Sequence, residues 1–164
     1  MGKILLINTG PAGQVQKWAG AVARRVAEYD LSAVYVCPVP HADEMARIVA
    51  GYRPVEALPG FGEGVEDFWK PGRRPLPFKE DLDKLRTRVE PALTQVWGKH
   101  KKETVAVVSQ RQLTVVMILF LLHMRNSHYS QIAQEDGAVN LFEVRDNTPS
   151  ALYINDMCHL HGLI

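Results

Sequence analysis

Apolar residues form three short runs along the chain, and each run ends abruptly in polar or turn-forming residues. The runs cover residues 4–7, 33–37 and 104–109, and the first is followed by Asn8-Thr9-Gly10-Pro11. Runs this short that are apolar on both faces are typical of strands in the middle of a sheet with helices on both sides. The pattern therefore predicts three buried strands of a mainly parallel sheet.

Other segments repeat apolar residues at spacings of three and four, which is the period of a helix with one buried face. These segments are residues 12–29, 41–50 and 79–99, and a more continuously apolar helix is predicted at residues 113–124. Pro91 lies inside the third segment and predicts a local bend. A terminal hairpin is predicted from residues 138–144 and 151–155. The order of these elements predicts one α/β domain over residues 1–164, a three-layer α/β/α sandwich around a mainly parallel sheet.

Residues 51–78 interrupt this alternation because they are rich in Pro and Gly. Phe61, Phe68 and Trp69 within this segment need burial, so we expect an ordered excursion, and long loops in compact domains are often lids. We also expect association, as a homodimer or with a protein partner. The surfaces expected to associate are the exposed parts of this segment or the terminal hairpin, whose edge strand needs cover.

The charge balance is close to neutral, with 19 Lys and Arg against 18 Asp and Glu and a net charge of +1. This does not favour a nucleic-acid partner, which binds to concentrated positive charge. The longest apolar run is too short to span a bilayer, so no membrane partner is expected. Cys37 and Cys158 do not make a disulfide framework, which is typical of a reducing compartment. These features predict a cytoplasmic protein.

Polar residues follow two of the predicted strands directly, and α/β proteins bind ligands at the carboxyl ends of such strands. His41 comes shortly after the third. Because these ends meet at one edge of the sheet, we expect a common polar crevice with modest affinity for anions. The candidate ligand-binding residues are Asn8, Thr9, Gly10, His41, Ser109, Gln110 and Arg111.

Several stretches in the same order resemble the histidine phosphatase superfamily, the phosphoglycerate mutase-like proteins. Residues 3–10 resemble that family's first strand with its Arg-His-Gly signature, and Gly13-Gln14-Val15-Gln16 resembles its Gly-x-x-Gln. Further similar stretches are residues 33–50, Phe61-Gly62-Glu63-Gly64, residues 105–110, residues 137–140 and residues 155–160. The resemblance covers nearly the whole chain and implies the phosphoglycerate mutase-like α/β fold.

The positions that carry the chemistry of that family are changed in this chain. The resemblance places Thr9 where the family has its nucleophilic histidine and Gln110 where it has the second histidine of the pocket. It places Asn8 and His41 where the family has phosphate-binding arginines, and Leu58 near the general acid. A threonine hydroxyl without an adjacent base is a poor nucleophile near neutral pH. The resemblance therefore implies a degenerate member that lacks the catalytic histidines and has no catalytic residue at these positions.

Two functions remain open on this basis. The first is an inactive, histidine-phosphatase-like binding or regulatory module with a residual polar crevice. The alternative is a divergent phosphatase or phosphomutase that acts on a phosphorylated small molecule, with Thr9, His41 or Arg111 in new roles, for example with His41 as a base for Thr9. Both imply a phosphorylated small molecule or an inorganic anion as ligand.

No cofactor is expected, and no metal site is expected either. Cys158, His159 and His161 lie close together in the sequence. Alternate residues of a strand point the same way, so Cys158 would face opposite the two histidines if this segment were extended. The resemblance implies a structural role for the histidine that follows the closing strand.

Overall fold

The computed structural model describes residues 1–11, 13–37, 40–61 and 79–163 of the 164-residue chain. Within these ranges, the strands are β1 (Gly2–Asn8), β2 (Leu31–Val36), β3 (Val55–Ala57), β4 (Thr104–Ser109), β5 (Val139–Arg145) and β6 (Thr148–Asp156). The helices are α1 (Val15–Val26), α2 (Pro40–Ala50), α3 (Lys79–Lys99) and α4 (Arg111–Leu121). Short 3-10 turns lie at Asn126–Gln131 and Cys158–Leu160.

The described strands form one sheet in the order β3-β2-β4-β1-β5-β6. The first four strands of this order are parallel. Strand β5 pairs antiparallel with β1, and β6 pairs antiparallel with β5. The parallel register pairs Asn8 at the end of β1 with Ser109 at the end of β4. The ends of the two central strands therefore lie side by side, each followed by a turn that leads towards a helix.

Two apolar clusters cover the two faces of the sheet, which makes the three layers. Helices α3 and α4 bury Leu85 and Met117 against Leu6 and Val107 on one face. On the other face, α1 and α2 bury their apolar stripes against β1, β2 and β4. The strands are apolar on both sides because both sides face a helix layer. The predicted α/β fold with a mainly parallel sheet is confirmed.

The closing hairpin turns on Asp146 and Asn147, which have positive φ angles of 50° and 61°. This is the pattern of a type I′ turn, where Asx residues tolerate the left-handed backbone. The register of β5 and β6 then shifts twice, so β6 is bulged at the edge of the sheet. The predicted hairpin is confirmed. Strand β5 is displaced by one residue from its predicted bounds, and β6 is longer than predicted.

The bounds predicted for α3 and β4 agree with the structure, and α3 continues through Pro91. Helix α1 is shorter than predicted because residues 27–29 form a turn. Strand β3 lies in the segment predicted as an ordered excursion, and the sequence did not predict this strand. The rest of that prediction, at residues 62–78, lies outside the described residues. No helix in the described ranges is both long and apolar enough to cross a membrane.

Candidate functional site

An open crevice of about 500 Å³ lies at the carboxyl ends of β1 and β4, beside the start of α2. It brings together five of the residues that the sequence predicted for a ligand site. Its lining residues are Asn8, Gly10, Pro11, His41, Gln110, Arg111, Gln112 and Asp136. Three other predicted positions, Thr9, Ser109 and Leu58, do not line it.

Asn8 is fully buried, and its amide is bonded to backbone on both sides. Its Nδ2 donates to the carbonyl of Glu135 at 2.8 Å, and its Oδ1 accepts from the Gly10 amide at 3.3 Å. Its backbone also pairs with Gly137 and Ala138. Asn8 therefore holds the end of β1 to the segment that precedes β5, and both polar atoms of its side chain have a partner within the chain.

Thr9 is fully buried, although the sequence predicted that it faces the crevice. Its hydroxyl donates to the Gly10 carbonyl at 2.9 Å, and its amide donates to the Ser109 carbonyl at 3.0 Å. The physical reason is that a buried hydroxyl needs a partner, and the neighbouring carbonyl supplies one. With this burial and this partner, the Thr9 hydroxyl does not line the crevice.

Ser109 and Leu58 are also turned into the protein, against their predicted placement at the site. Thr114 donates its only hydroxyl proton to the Gln110 carbonyl at 3.0 Å, so Ser109 donates to the Thr114 hydroxyl at 2.7 Å. This pair is buried and fixes the beginning of α4. Leu58 belongs to the apolar cluster beneath α3 and α4. An apolar side chain in that position cannot act as a general acid.

His41 lies in the first turn of α2 and is half-buried at the crevice. Burial lowers the pKa of its imidazole, and the nearby Glu44 carboxylate partly offsets this effect. The Glu44 carboxylate in turn accepts a hydrogen bond from Gln16. Because the pKa lies below the ordinary value of about 6.5, the imidazole is neutral at physiological pH.

Gln110 and Arg111 lie at the start of α4 and line the crevice. Arg111 is exposed, whereas Gln110 is only 8% exposed and makes no side-chain hydrogen bond to the helix that it caps. Arg111 Nη2 lies 3.4 Å from Asp136 Oδ1. Asp136 was not among the residues predicted for the site. The sequence shows an Asp-Gly pair just before β5, but only the pairing of β5 with β1 brings Asp136 into the crevice.

The described residues contain no grouping of three or more His, Cys, Asp or Glu side chains that could hold a metal ion. His159 donates from Nε2 to the Gly137 carbonyl at 2.8 Å and so ties the turn at Cys158–Leu160 to the segment that precedes β5. Cys158 is exposed and Cys37 is buried, and both are free thiols. Burial raises the pKa of Cys37 to about 12, so it stays protonated.

The fold and the crevice can be compared with known proteins. Phosphoserine phosphatase from Entamoeba histolytica, solved with 3-phosphoglyceric acid, superposes with a TM-score of 0.77 at 19% identity, covering 98% of this chain and 100% of the other. YhfR from Bacillus stearothermophilus superposes with a TM-score of 0.76 at 16% identity, covering 98% of this chain and 100% of the other. The alpha-ribazole phosphatase from Shigella flexneri superposes with a TM-score of 0.74 at 13% identity, covering 94% of this chain and 96% of the other.

At these identities the structural similarities establish the shared fold alone. No curated protein sequence matches this chain. The family model of the histidine phosphatase superfamily (branch 1) matches residues 62–157, which is more than half of the chain. The match lies in the second part of the sequence and therefore does not include the turn at Asn8-Thr9-Gly10. The chain belongs to the histidine phosphatase superfamily.

Proposed function

We propose that this chain is a non-catalytic member of the superfamily, a binding or regulatory module whose crevice takes a small polar ligand. The ligand class is a phosphorylated small molecule or an inorganic anion bound with modest affinity. One observation carries the proposal. The hydroxyl of Thr9, which stands at the position of the family's nucleophile, is fully buried and bonded to the Gly10 carbonyl.

The charges of the crevice support the same proposal. Phosphoryl transfer depends on positive charge positioned around the phosphate. Among the described residues that line the crevice, Arg111 is the one permanent cation, and Asp136 lies beside it. His41 adds no charge at neutral pH because its pKa is lowered. This environment suits hydrogen bonding to a ligand better than stabilisation of a transferring phosphoryl group.

The direct test is turnover of p-nitrophenyl phosphate and 3-phosphoglycerate by the purified chain. We expect no product above that of a protein-free blank. The Thr9→Val variant, which removes the hydroxyl, is assayed beside it to separate true turnover from contamination. Turnover by the unmodified chain that is lost in Thr9→Val or in His41→Gln contradicts the proposal.

A divergent phosphatase is the second candidate, and the position of His41 favours it. Its imidazole lines the crevice and is neutral at physiological pH, so a ring nitrogen has a lone pair available. In this reaction the nitrogen would attack the phosphorus, the ester P–O bond would break, and the leaving alkoxide would take a proton from water. Water would then hydrolyse the phosphohistidine to phosphate.

Trapping the phosphohistidine separates the two candidates. A labelled phosphomonoester would give an acid-labile label on the unmodified chain and on the control variant His161→Gln, whose histidine is exposed near the C-terminus. The label would be absent from His41→Gln. We expect no label on any of the three proteins, and a label with this pattern establishes the divergent enzyme.

The association expected from the sequence, as a homodimer or with a protein partner, and the cytoplasmic location both remain proposals. Support for association through the terminal hairpin comes from β6, the outermost strand of the described sheet, where Leu152 is 53% exposed. Light scattering at micromolar concentration would measure the mass. A monomer mass, with no protein partner recovered from the source cells, counts against association.

A further inference from the structure

Asp136 covers the face of Gly10 at the inner side of the crevice. Gly10 has a φ of +76°, and a Cβ built on it would lie 2.9 Å from Asp136 Cβ and 3.1 Å from Asp136 Cγ. Such distances leave no room for a side chain at position 10. The absence of a side chain at Gly10 therefore allows the Asp136 carboxylate to lie against the end of β1, inside the crevice.

The backbone around Asp136 is held in place from both sides. The Gly137 amide donates to the Asn8 carbonyl at 2.9 Å, and the Glu135 amide donates to Asn155 Oδ1 at 2.8 Å. Asn8 Nδ2 donates to the Glu135 carbonyl. These bonds fix the position from which the Asp136 side chain projects, so its carboxylate is a permanent part of the crevice wall.

The carboxylate meets Arg111 through one oxygen, at 3.4 Å. The side chains of Arg111 and Asp136 are 52% and 30% exposed, so both are also open to a ligand. An incoming anion must share Arg111 with Asp136 and is repelled by it. Because the lining also contains the neutral His41 and several amides, Asp136 cancels the one permanent positive charge of the described lining.

We propose that Asp136 is a specificity-determining residue of this crevice. It acts as an internal counter-ion of Arg111 and weakens the binding of simple anions such as inorganic phosphate, so that the affinity for them stays modest. The inference rests on the proposed function, because it concerns the ligand preference of the same crevice. With an uncharged group of the same shape at position 136, Arg111 becomes available to an anion, and the repulsion is removed.

The test is titration of inorganic phosphate at constant ionic strength, followed by two-dimensional NMR of the backbone amides of Gly10 and Gln110. Asp136→Asn keeps the shape of the side chain and removes its charge. We expect it to bind phosphate about fivefold to tenfold more tightly than the unmodified chain, as removal of a partly exposed charge beside an anion predicts. The matched control Asp146→Asn removes the same charge in the turn of the distant hairpin, and we expect its affinity to be unchanged.

The double variant Asp136→Asn with Arg111→Gln shows whether the gain in phosphate affinity depends on Arg111. We expect the double variant to lose this gain. An affinity of Asp136→Asn within twofold of the unmodified chain overturns the inference, and so does an equal gain in Asp146→Asn. The p-nitrophenyl phosphate assay on the same samples tests the proposed function separately. Absent turnover with no gain in Asp136→Asn overturns the inference alone, whereas turnover by the unmodified chain overturns the proposed function.

Discussion

Two sets of polar residues lie near the end of β1, and they differ in how many of their side-chain hydrogen bonds are made within the protein. The first is a buried network around Asn140, whose Nδ2 donates to the Leu6 carbonyl at 3.0 Å and to Gln134 Oε1 at 2.9 Å. Its Oδ1 accepts from Gln134 Nε2 at 2.6 Å and from the Asn155 amide at 2.8 Å. Every polar atom of the Asn140 amide is therefore satisfied within the protein.

The crevice is the second group, and its bonds are incomplete. Gln110 makes no side-chain bond to the helix that it caps, and Arg111 has one long contact to Asp136. The difference separates residues that hold the fold from residues that are free to contact a ligand. Asn8 lines the crevice but resembles Asn140 in its bonding, so the position of a residue in a pocket does not by itself make it a ligand contact.

The largest expected effect is on stability, from Asn140→Ala. This change removes the hydrogen bonds that the buried Asn140 side chain makes with the Leu6 carbonyl, the Asn155 amide and the Gln134 side chain. We expect the free energy of unfolding to fall by about 3 kcal/mol, as several buried unsatisfied groups predict. Chemical denaturation measures it. The control Gln95→Ala, at an exposed position of α3, should change it by less than about 0.5 kcal/mol.

A loss in Asn140→Ala no larger than that of Gln95→Ala would remove the distinction between the two groups. It would mean that water reaches the Asn140 site and replaces the lost bonds. Phosphate affinity should stay unchanged in this variant as long as the protein is folded, because Asn140 does not line the crevice.

A smaller loss of stability is expected for Thr9→Val, because one buried hydroxyl is removed and its β-branched shape is kept. The Gly10 carbonyl loses one hydrogen bond, which predicts a loss of about 1 kcal/mol. Thr87→Val is the matched control, since its hydroxyl also donates to a backbone carbonyl but is exposed to water. Phosphate titration of both variants should match the unmodified chain within twofold. A tenfold weaker affinity in Thr9→Val alone would place Thr9 among the ligand contacts.

The smallest expected effect is the pH dependence that His41 contributes. Its pKa is lowered in the folded state, so the unfolded chain binds a proton first as the pH falls. The stability associated with the neutral imidazole is therefore fully present above about pH 6.5 and is lost as the pH falls through the lower folded-state value. We expect the free energy of unfolding to fall less from neutral pH to about pH 5 in His41→Gln than in the unmodified chain. An equal fall in the free energy of unfolding in both proteins would show that burial does not lower the pKa of the His41 imidazole.

The sequence predicted the central elements well because their apolar patterns are strong. The bounds of α3 agree with the structure because its apolar residues repeat over many turns, and those of β4 agree because it is a continuous apolar run between polar residues. Strand β3 has three residues between turn-forming segments, which is too short to carry a period. The insertion of β5 beside β1 depends on a long-range pairing that no local pattern encodes.

The location of the crevice was predicted correctly, but the set of residues that line it was not. The rule that ligands bind at the carboxyl ends of parallel strands placed Asn8, His41 and Gln110 together. The orientation of the Thr9 side chain depends on its hydrogen bond to the Gly10 carbonyl, and the sequence does not predict this bond. Asp136 could not be assigned because it reaches the crevice through the antiparallel strand, far from β1 in sequence.

The sheet order also has a consequence for how the chain folds during synthesis. The first strand pairs with β4 from Lys3 opposite Thr104 onwards, so its parallel partner appears only after most of the chain has been made. At translation rates of about 5–20 residues per second, the apolar residues of β1 wait roughly 5–20 seconds for that partner. The hairpin of β5 and β6, by contrast, can pair as soon as it leaves the ribosome. Chaperone protection of the nascent β1 is therefore expected to raise the yield of folded protein.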